Sequence, residues 1–454
     1  MYNRAMRLLE IITPILLAVH LLWRAPRPMS ARYLPLLALA LILIHFVVEG
    51  YRWQMIPLYA LTIIFSILVI FHVEMKSVAS FLTFILLALA TALPILLPVP
   101  RIASPSGPYA VGTRIYELTD DSRREIYSDK DDPRLFMIQI CFPSELGRAV
   151  ERAPWMADAK IYAPAIANHI GLPSFFIDHL ALVKIPAFKE TVVARREKSY
   201  PVILFSHGWN GFNAQNTEQV LELASHGYVV VGVQHTYGAV VTVFPNGDVA
   251  LNNPSALPPD ETPTAEYEAT AQKLVNQWAG DLGHTLDFMK KQNDDSSSPF
   301  SGKLDLNLVG VYGHSTGGGA AIQFCGTDSR CIALLGMDPF MRPVSYEVID
   351  DGVTQPSFFM FSQVWADEVD SRNNELFNRF YPFGVIKIEG TAHYDFTDLP
   401  LLSPLAPQLG LKGPINGKLV TTIVNDYLLS FFNATLKGGQ FDNSSNYSEV
   451  KKVH

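Results

Sequence analysis

The run Leu306-Asn-Leu-Val-Gly-Val-Tyr-Gly-His-Ser315-Thr-Gly-Gly-Gly319 sets the reading of the whole chain. Its first half is rich in valine and leucine, the pattern of a buried strand, and its second half is small-residue, like the start of a closely packed helix. Between them, Gly313-His314-Ser315-Thr316-Gly317 has the G-x-S-x-G form of a nucleophile elbow, a sharp turn that lifts a serine hydroxyl clear of a strand end. The glycines have a steric reason. The serine is held in a strained conformation, and side chains two residues to either side would collide with the adjoining strand and helix. The helix N-terminus behind the serine offers backbone N–H groups and a positive dipole end where negative charge develops. Ser315 is therefore the expected nucleophile, and the N–H of Thr316 an expected oxyanion donor.

A serine hydroxyl needs a base to attack at neutral pH. In α/β-hydrolases the chain order is serine, acid, histidine. Of twelve histidines only His393 and His454 follow Ser315. His393 sits in Glu389-Gly-Thr-Ala-His-Tyr-Asp-Phe396, directly after an apolar run, where a loop would lie at the carboxyl edge of a parallel sheet. His454 ends a polar tail. For the acid, Asp338 follows the run Ile332–Met337, while Asp367 or Glu368 follows the next strand, and the local pattern leaves both positions open. A second oxyanion donor should come from the loop after an earlier strand, since losing one donor costs roughly 10²–10³ in rate. Ile203-Leu-Phe-Ser-His-Gly-Trp-Asn-Gly211 fits, with the N–H of Trp209 in that role; an ordinary glycine-rich turn is the alternative.

Around this centre, short β-rich runs alternate with helical patterns, as in βαβ units about a mostly parallel sheet. Expected strands are Leu135–Phe142, Pro201–Ser206, Val229–Gln234, Leu306–Tyr312, Ile332–Gly336, Ser357–Ser362 and Val385–Glu389. Expected helices are Asn216–His226, Thr264–Lys291, Gly317–Cys325 and Asn416–Leu436. The fold class is thus α/β, of the α/β-hydrolase type. Residues 438–454 are polar and rich in Asn and Ser, and read as a loose tail. Asn433, Asn443 and Asn446 open Asn-x-Ser/Thr sequons, relevant only in a eukaryotic secretory route.

Upstream the composition changes. The chain of 454 residues is 49% apolar and only 17% charged, and the deficit of charge lies near the N-terminus. Four apolar runs, Leu8–Trp23, Tyr33–Val48, Ile56–Val73 and Val78–Leu97, fill the first hundred residues. They sit at the short end of the roughly 20 residues a bilayer needs. Trp23, Tyr33, Tyr51 and Trp53 lie where interfacial aromatics belong. About four membrane helices are expected over residues 1–100, with Glu10 weakening the first, followed by a catalytic domain over 101–437. Pro94, Pro98, Pro100, Pro105 and Pro108 mark the linker between them. An even number of spans puts both ends of the membrane part on one side. Arg24, Arg27 and Arg32 favour a cytoplasmic first loop and hence an extracytoplasmic domain, together with Lys76, while Arg4, Arg7, Arg52 and Arg101 pull the other way.

The net charge of −8 gives no basic surface for nucleic acid. Cys141, Cys325 and Cys331 lack the paired spacing of a zinc site, and no metal or cofactor is expected. Cys325 and Cys331 either pair in an oxidising compartment or stay as buried thiols. The partners expected are a lipid or small ester and the bilayer itself; oligomeric state is not addressed by the pattern.

From about Gly107 to Gly438 the chain resembles the plasma-type platelet-activating-factor acetylhydrolases, the lipoprotein-associated phospholipases, and their bacterial relatives. The matching pieces are Gly107-Pro-Tyr-Ala-Val-Gly-Thr, Gly171-Leu-Pro-Ser-Phe-Phe with His179-Leu, Phe205-Ser-His-Gly, Gly313-His-Ser-Thr-Gly-Gly, Met337-Asp-Pro and His393-Tyr-Asp-Phe-Thr-Asp-Leu. The resemblance implies Ser315, Asp338 and His393 as a triad, Trp209 and Thr316 as oxyanion donors, and a metal-independent mechanism. It implies phospholipids with a short or oxidised acyl chain, or other short esters, as substrates. The same residues would also serve a thioesterase, amidase or polyester hydrolase. A catalytically silent receptor or a transporter are the readings from other classes. Two departures stand out: the family's secreted members carry a cleaved signal, and Trp209 replaces a smaller apolar residue. The apolar segment Ala163–Leu182 would form a helix pair, either touching a lipid surface at the pocket mouth or packed inside.

Overall fold

The computed structural model describes residues 7–23, 28–147, 150–259, 261–367, 382–441 and 446–453. Arg4, Arg24, Arg27, Glu368, Asn443 and His454 lie outside these. Two compact units emerge, one of Met1–Pro100 with Ile177–Leu182 and Leu402–Leu405, the other of the remaining residues.

In the larger unit fourteen strands are described: β1 (Ala110–Arg124), β2 (Pro133–Glu145), β3 (Arg152–Pro154), β4 (Lys184–Lys189), β5 (Val192–Val193), β6 (Tyr200–Ser206), β7 (Val229–Gln234), β8 (Val241–Val243), β9 (Val249–Leu251), β10 (Leu304–His314), β11 (Ala333–Met337), β12 (Ser357–Ser362), β13 (Pro382–Ile388) and β14 (Val450–Lys452). Twelve of them form one sheet in the order β14-β13-β12-β11-β10-β6-β7-β2-β1-β4-β3, with β5 beside β2, and β8 and β9 form a separate hairpin. From β7 through β6, β10, β11 and β12 to β13 the neighbours run parallel. This is a mixed α/β fold with a mostly parallel central sheet.

Both faces of that sheet are covered, which is why its strands are apolar on both sides rather than alternating. Val311 and Phe359 join the core formed with Leu286 and Ile322 of the helices Thr264–Asp294 and Thr316–Thr327. Their neighbours Tyr312 and Phe358 point the other way, as strand geometry requires, and meet Phe432 and Tyr427 of the helix Gly417–Lys437. That last helix starts at Asn416, whose side chain accepts from the N–H of Lys418 and Leu419, and stops at Gly438 in the left-handed region.

The register aligns the strand ends that matter. Gly313 of β10 lies opposite Ser206 of β6 and Gly336 of β11, and Met337 lies opposite Met360 of β12. The segments following Ser206, His314 and Met337 therefore leave the sheet side by side at its carboxyl edge, and the segment after β13 leaves it two strands further along.

The expected strands and helices are present, with ends displaced by up to three residues. Two expectations are corrected. The tail is not loose throughout, because β14 adds to the sheet edge antiparallel to β13. The segment Ala163–Leu182 is not a helix pair: it comprises most of the helix Ala159–His169 and, after an interval, a short 3-10 turn at Asp178–Leu182.

The smaller unit contains the apolar helices Leu8–Leu22, Leu34–Val48, Ile56–Ile70 and Ser77–Leu96. Two stretches, Trp53–Ile70 and Ser77–Leu96, are long and apolar enough to cross a membrane. The other two have 15 residues each, about 22 Å at 1.5 Å per residue, against a core of about 30 Å. Pro94 lies within the last helix rather than beyond it. Glu10 does not stand alone: Arg7 and Arg52 both donate to its Oε1 at 2.8 Å. Arg52 also donates to the Leu97 carbonyl at 2.6 Å, and Glu49 accepts from the Leu9 N–H at 3.2 Å. The start of the first helix, the ends of the second and fourth, and the approach to the third therefore meet at one end of the bundle. Pairing the buried charges there offsets what Glu10 would cost in an apolar helix.

Candidate active site

Ser315 is placed by the elbow the sequence announces. It follows β10 directly, with φ 55° and ψ −125°, and the helix Thr316–Thr327 begins at the next residue. Such a conformation costs a non-glycine residue of the order of 1–3 kcal/mol and is held only by its surroundings. Here the Ser315 N–H donates to Met337 O at 3.0 Å, and its carbonyl accepts from the N–H of Gly318 at 2.9 Å and of Phe340 at 2.8 Å. The glycine requirement is literal: a Cβ at Gly313 would lie 2.2 Å from Gly317 O, and one at Gly317 would lie 2.2 Å from Ser206 O.

Asp338 follows β11, is fully buried and has φ 41°. Its carboxylate accepts from Ser362 twice, the backbone N–H at 2.7 Å and the hydroxyl at 2.6 Å. The ring of His393 lies 3.0 Å away through Nδ1. His393 opens the 3-10 turn His393–Phe396 beyond β13, and its side chain is 21% exposed, enough to meet a ligand. Among the described residues it pairs with Asp338; the side chain of Asp367, the other candidate acid, lies outside those described.

Three neighbours hold these groups, and none of them is marked by its local sequence as serving His393 or Asp338. Ser362 fixes Asp338 as described. Trp365 stacks on the His393 ring, with centroids 4.5 Å apart and planes 15° from parallel. His314, the variable residue before Ser315, lies against the same ring at 4.4 Å and is 3.0 Å from the His393 carbonyl through Nε2. The imidazole of His393 is thus flanked by two flat groups. His314 was in view as part of the motif; Ser362 and Trp365 carry no local signal, because only the sheet register brings them here.

Burial pushes the Asp338 carboxyl up to about 7, against the Ser362 hydrogen bonds that favour its charged form. Burial also pushes the His393 imidazole down to about 4. At neutral pH the imidazole is therefore uncharged. With its Nδ1–H donated to Asp338, its Nε2 keeps the lone pair that a proton acceptor needs. Among the described residues the Ser315 hydroxyl makes no hydrogen bond to this ring.

The loop after β6 runs past the same point. A Cβ at Gly208 would lie 3.2 Å from the Cβ of Ser315. Among the described residues the N–H groups of Trp209 and Thr316 have no backbone acceptor. A cavity of about 280 Å³ elsewhere, between Thr113, Trp155, Tyr162 and Phe212, is lined by none of these residues. Cys325 and Cys331, left open by the sequence, are joined by a disulfide, and Cys141 is a buried free thiol.

Residues 98–453 match the family model for platelet-activating factor acetylhydrolase, isoform II. The chain belongs to this family. A platelet-activating factor acetylhydrolase from Cavia porcellus is 27% identical over 355 residues, 73% of this chain and 77% of that protein. A probable 1-alkyl-2-acetylglycerophosphocholine esterase from Arthroderma benhamiae is 28% identical over 373 residues, 75% of this chain and 85% of the relative. Among solved structures, a ferulic acid esterase from Streptomyces cinnamoneus superposes with a TM-score of 0.64 at 21% identity, covering 78% of this chain and all of the esterase, a likeness of fold.

Proposed function

We propose that this protein is a membrane-anchored serine hydrolase that cleaves carboxylic esters through an acyl-enzyme on Ser315. The observation that carries the reading is the strained serine at the end of β10, flanked at the same sheet edge by a buried aspartate hydrogen-bonded to a neutral histidine. Family membership supports it independently.

In this mechanism Nε2 of His393 takes the Ser315 hydroxyl proton as Oγ attacks the ester carbonyl, while Asp338 holds the ring in the productive tautomer and stabilises the imidazolium. The N–H groups of Trp209 and Thr316 receive the oxyanion. His393 returns the proton to the leaving alkoxide, and water, activated by the same ring, releases the acid. The relatives are named for acetylhydrolase and alkyl-acetyl-glycerophosphocholine esterase activity, which favours a phospholipid bearing a short acyl chain. The anchor is the bundle over residues 1–100, with a catalytic domain over 101–437. The segment 438–454 is an appendage whose strand β14 completes the sheet edge. The Cys325–Cys331 disulfide favours an oxidising, extracytoplasmic setting for the domain.

The test compares wild type with Ser315→Ala on p-nitrophenyl acetate, a short-chain phosphatidylcholine and an acyl thioester. Loss of all turnover in the variant, with the phospholipid preferred by the wild type, is expected. Undiminished turnover by Ser315→Ala refutes the mechanism, and a preference for the thioester refutes the substrate class.

A further inference from the structure

A second constellation lies beneath the loop that follows β6. Ser206, His207, His235 and Asp281 are all fully buried. The Ser206 hydroxyl is 2.9 Å from Nε2 of His235, and Nδ1 of His235 is 3.0 Å from Oδ2 of Asp281. This is the layout of a serine–histidine–aspartate relay, but sealed from substrate: the His235 ring is stacked on Trp278 at 4.2 Å with planes 6° apart.

The protons in it can be assigned one by one. Asp281 receives Nε and a terminal nitrogen of Arg134 at 3.0 and 2.7 Å, and Arg123 at 2.8 Å. Burial alone would raise its carboxyl, but these guanidinium groups hold it well below the usual range, so it accepts. Nδ1–H of His235 therefore donates to Asp281, and Nε2 accepts the Ser206 hydroxyl proton. The backbone N–H of His235 donates to Nε2 of His207 at 3.1 Å, so that nitrogen carries no proton. Burial keeps the His207 ring neutral. Its single proton is on Nδ1, which donates to the Gly208 carbonyl at 2.7 Å.

That carbonyl is the informative end of the chain. Gly208 C=O and Trp209 N–H belong to one planar trans peptide, so fixing the oxygen fixes the N–H in the opposite direction. A second bond to the same carbonyl, from Gly211 N–H at 2.9 Å, holds the plane from another side. We infer that His207 is a positioning residue: its Nδ1–H tautomer, fixed by the backbone N–H of His235, whose ring is itself held by Asp281 and Ser206, sets the Gly208–Trp209 peptide plane and aims the Trp209 N–H at the oxyanion. This rests on the hydrolase reading above and on Trp209 as a donor in it.

The experiment uses the full chain in detergent, with p-nitrophenyl acetate as substrate and a trifluoromethyl ketone as an analogue of the oxyanion adduct. In His207→Phe, kcat/KM should fall by roughly 10²–10³, the loss typical of one missing oxyanion donor. KM and the acid limb of the pH profile should stay in place. His207→Asn puts an amide N–H where Nδ1 sits and should recover most of the loss, whereas His207→Gln, whose amide lies further out, should not. Ketone affinity should fall in step with kcat/KM across the series. A folded His207→Phe with wild-type kcat/KM overturns the inference, as do equal losses in Asn and Gln variants; where the phenylalanine variant does not fold, the Asn/Gln pair decides. Should the wild type fail to bind the ketone, or Ser315→Ala keep its turnover, the hydrolase reading itself falls, a result separate from the His207 series.

Discussion

Ser362→Ala should move the acid limb of the pH–rate profile to higher pH by about one to two units. The Ser362 hydroxyl donates to Oδ2 of Asp338 at 2.6 Å inside a fully buried site. A hydrogen bond to a charged group is worth about 1.5–3 kcal/mol, and 1.36 kcal/mol corresponds to one pKa unit. The sign follows from which form the bond favours. It stabilises the carboxylate, so its loss raises the proton affinity of Asp338, already pushed up to about 7 by burial. A more basic carboxylate also favours protonation of the His393 ring bonded to it, so the pair as a whole takes up its proton at higher pH. In the proposed mechanism activity needs the unprotonated pair, so it should be present on the alkaline side and lost as pH falls through that apparent value. The backbone N–H of Ser362 keeps its own bond to Oδ1, so Asp338 stays in position and the alkaline plateau should change little. The assay is kcat/KM for p-nitrophenyl acetate from acid to alkaline pH, in wild type and variant. An unmoved acid limb, or one displaced to lower pH, would refute the reasoning.

Gly317→Ala should prevent folding or abolish activity, because its Cβ would lie 2.2 Å from the backbone oxygen of Ser206 and neither strand nor helix can yield; thermal melts and ester turnover check this. Trp365→Ala removes the stacking partner of His393 and should lower kcat far more than it raises KM, read by steady-state kinetics. Reducing the Cys325–Cys331 disulfide, which closes a loop of 6 residues' separation, should destabilise the domain by about 2 kcal/mol while leaving activity at low temperature, seen as a lower Tm with reductant. Arg52→Ala leaves Glu10 buried with one fewer partner and should cost about 3–5 kcal/mol of bundle stability, measured by detergent unfolding.

What the sequence revealed and what it hid divide by range. The elbow was legible because its constraint is local: two glycines and a serine within five residues leave one workable geometry. His393 was legible from chain order and from the apolar strand before it. Asp338 and Asp367 could not be separated by local pattern, since both follow strands; the hydrogen bond of Asp338 to His393 depends on how β11, β12 and β13 lie abreast. Ser362 and Trp365 were hidden for the same reason. β1 was missed because its exposed positions carry charge, as in Glu117, Asp121 and Arg124, and the strand is held by pairing with β2 over most of its length. β14 was missed because a polar strand at a sheet edge is stabilised by backbone bonds to β13 rather than by any apolar pattern. Glu10 read as a defect in an apolar helix because its partners Arg7 and Arg52 lie one near and one 42 residues away.

The most direct measurement is rapid acid quenching of the enzyme during turnover of p-nitrophenyl acetate, followed by mass spectrometry of its peptides. The account predicts one acetyl group on Ser315, formed in a burst with p-nitrophenolate, absent in Ser315→Ala and formed far more slowly in His393→Ala. An acetyl group on another residue, or full turnover with none on Ser315, would contradict it.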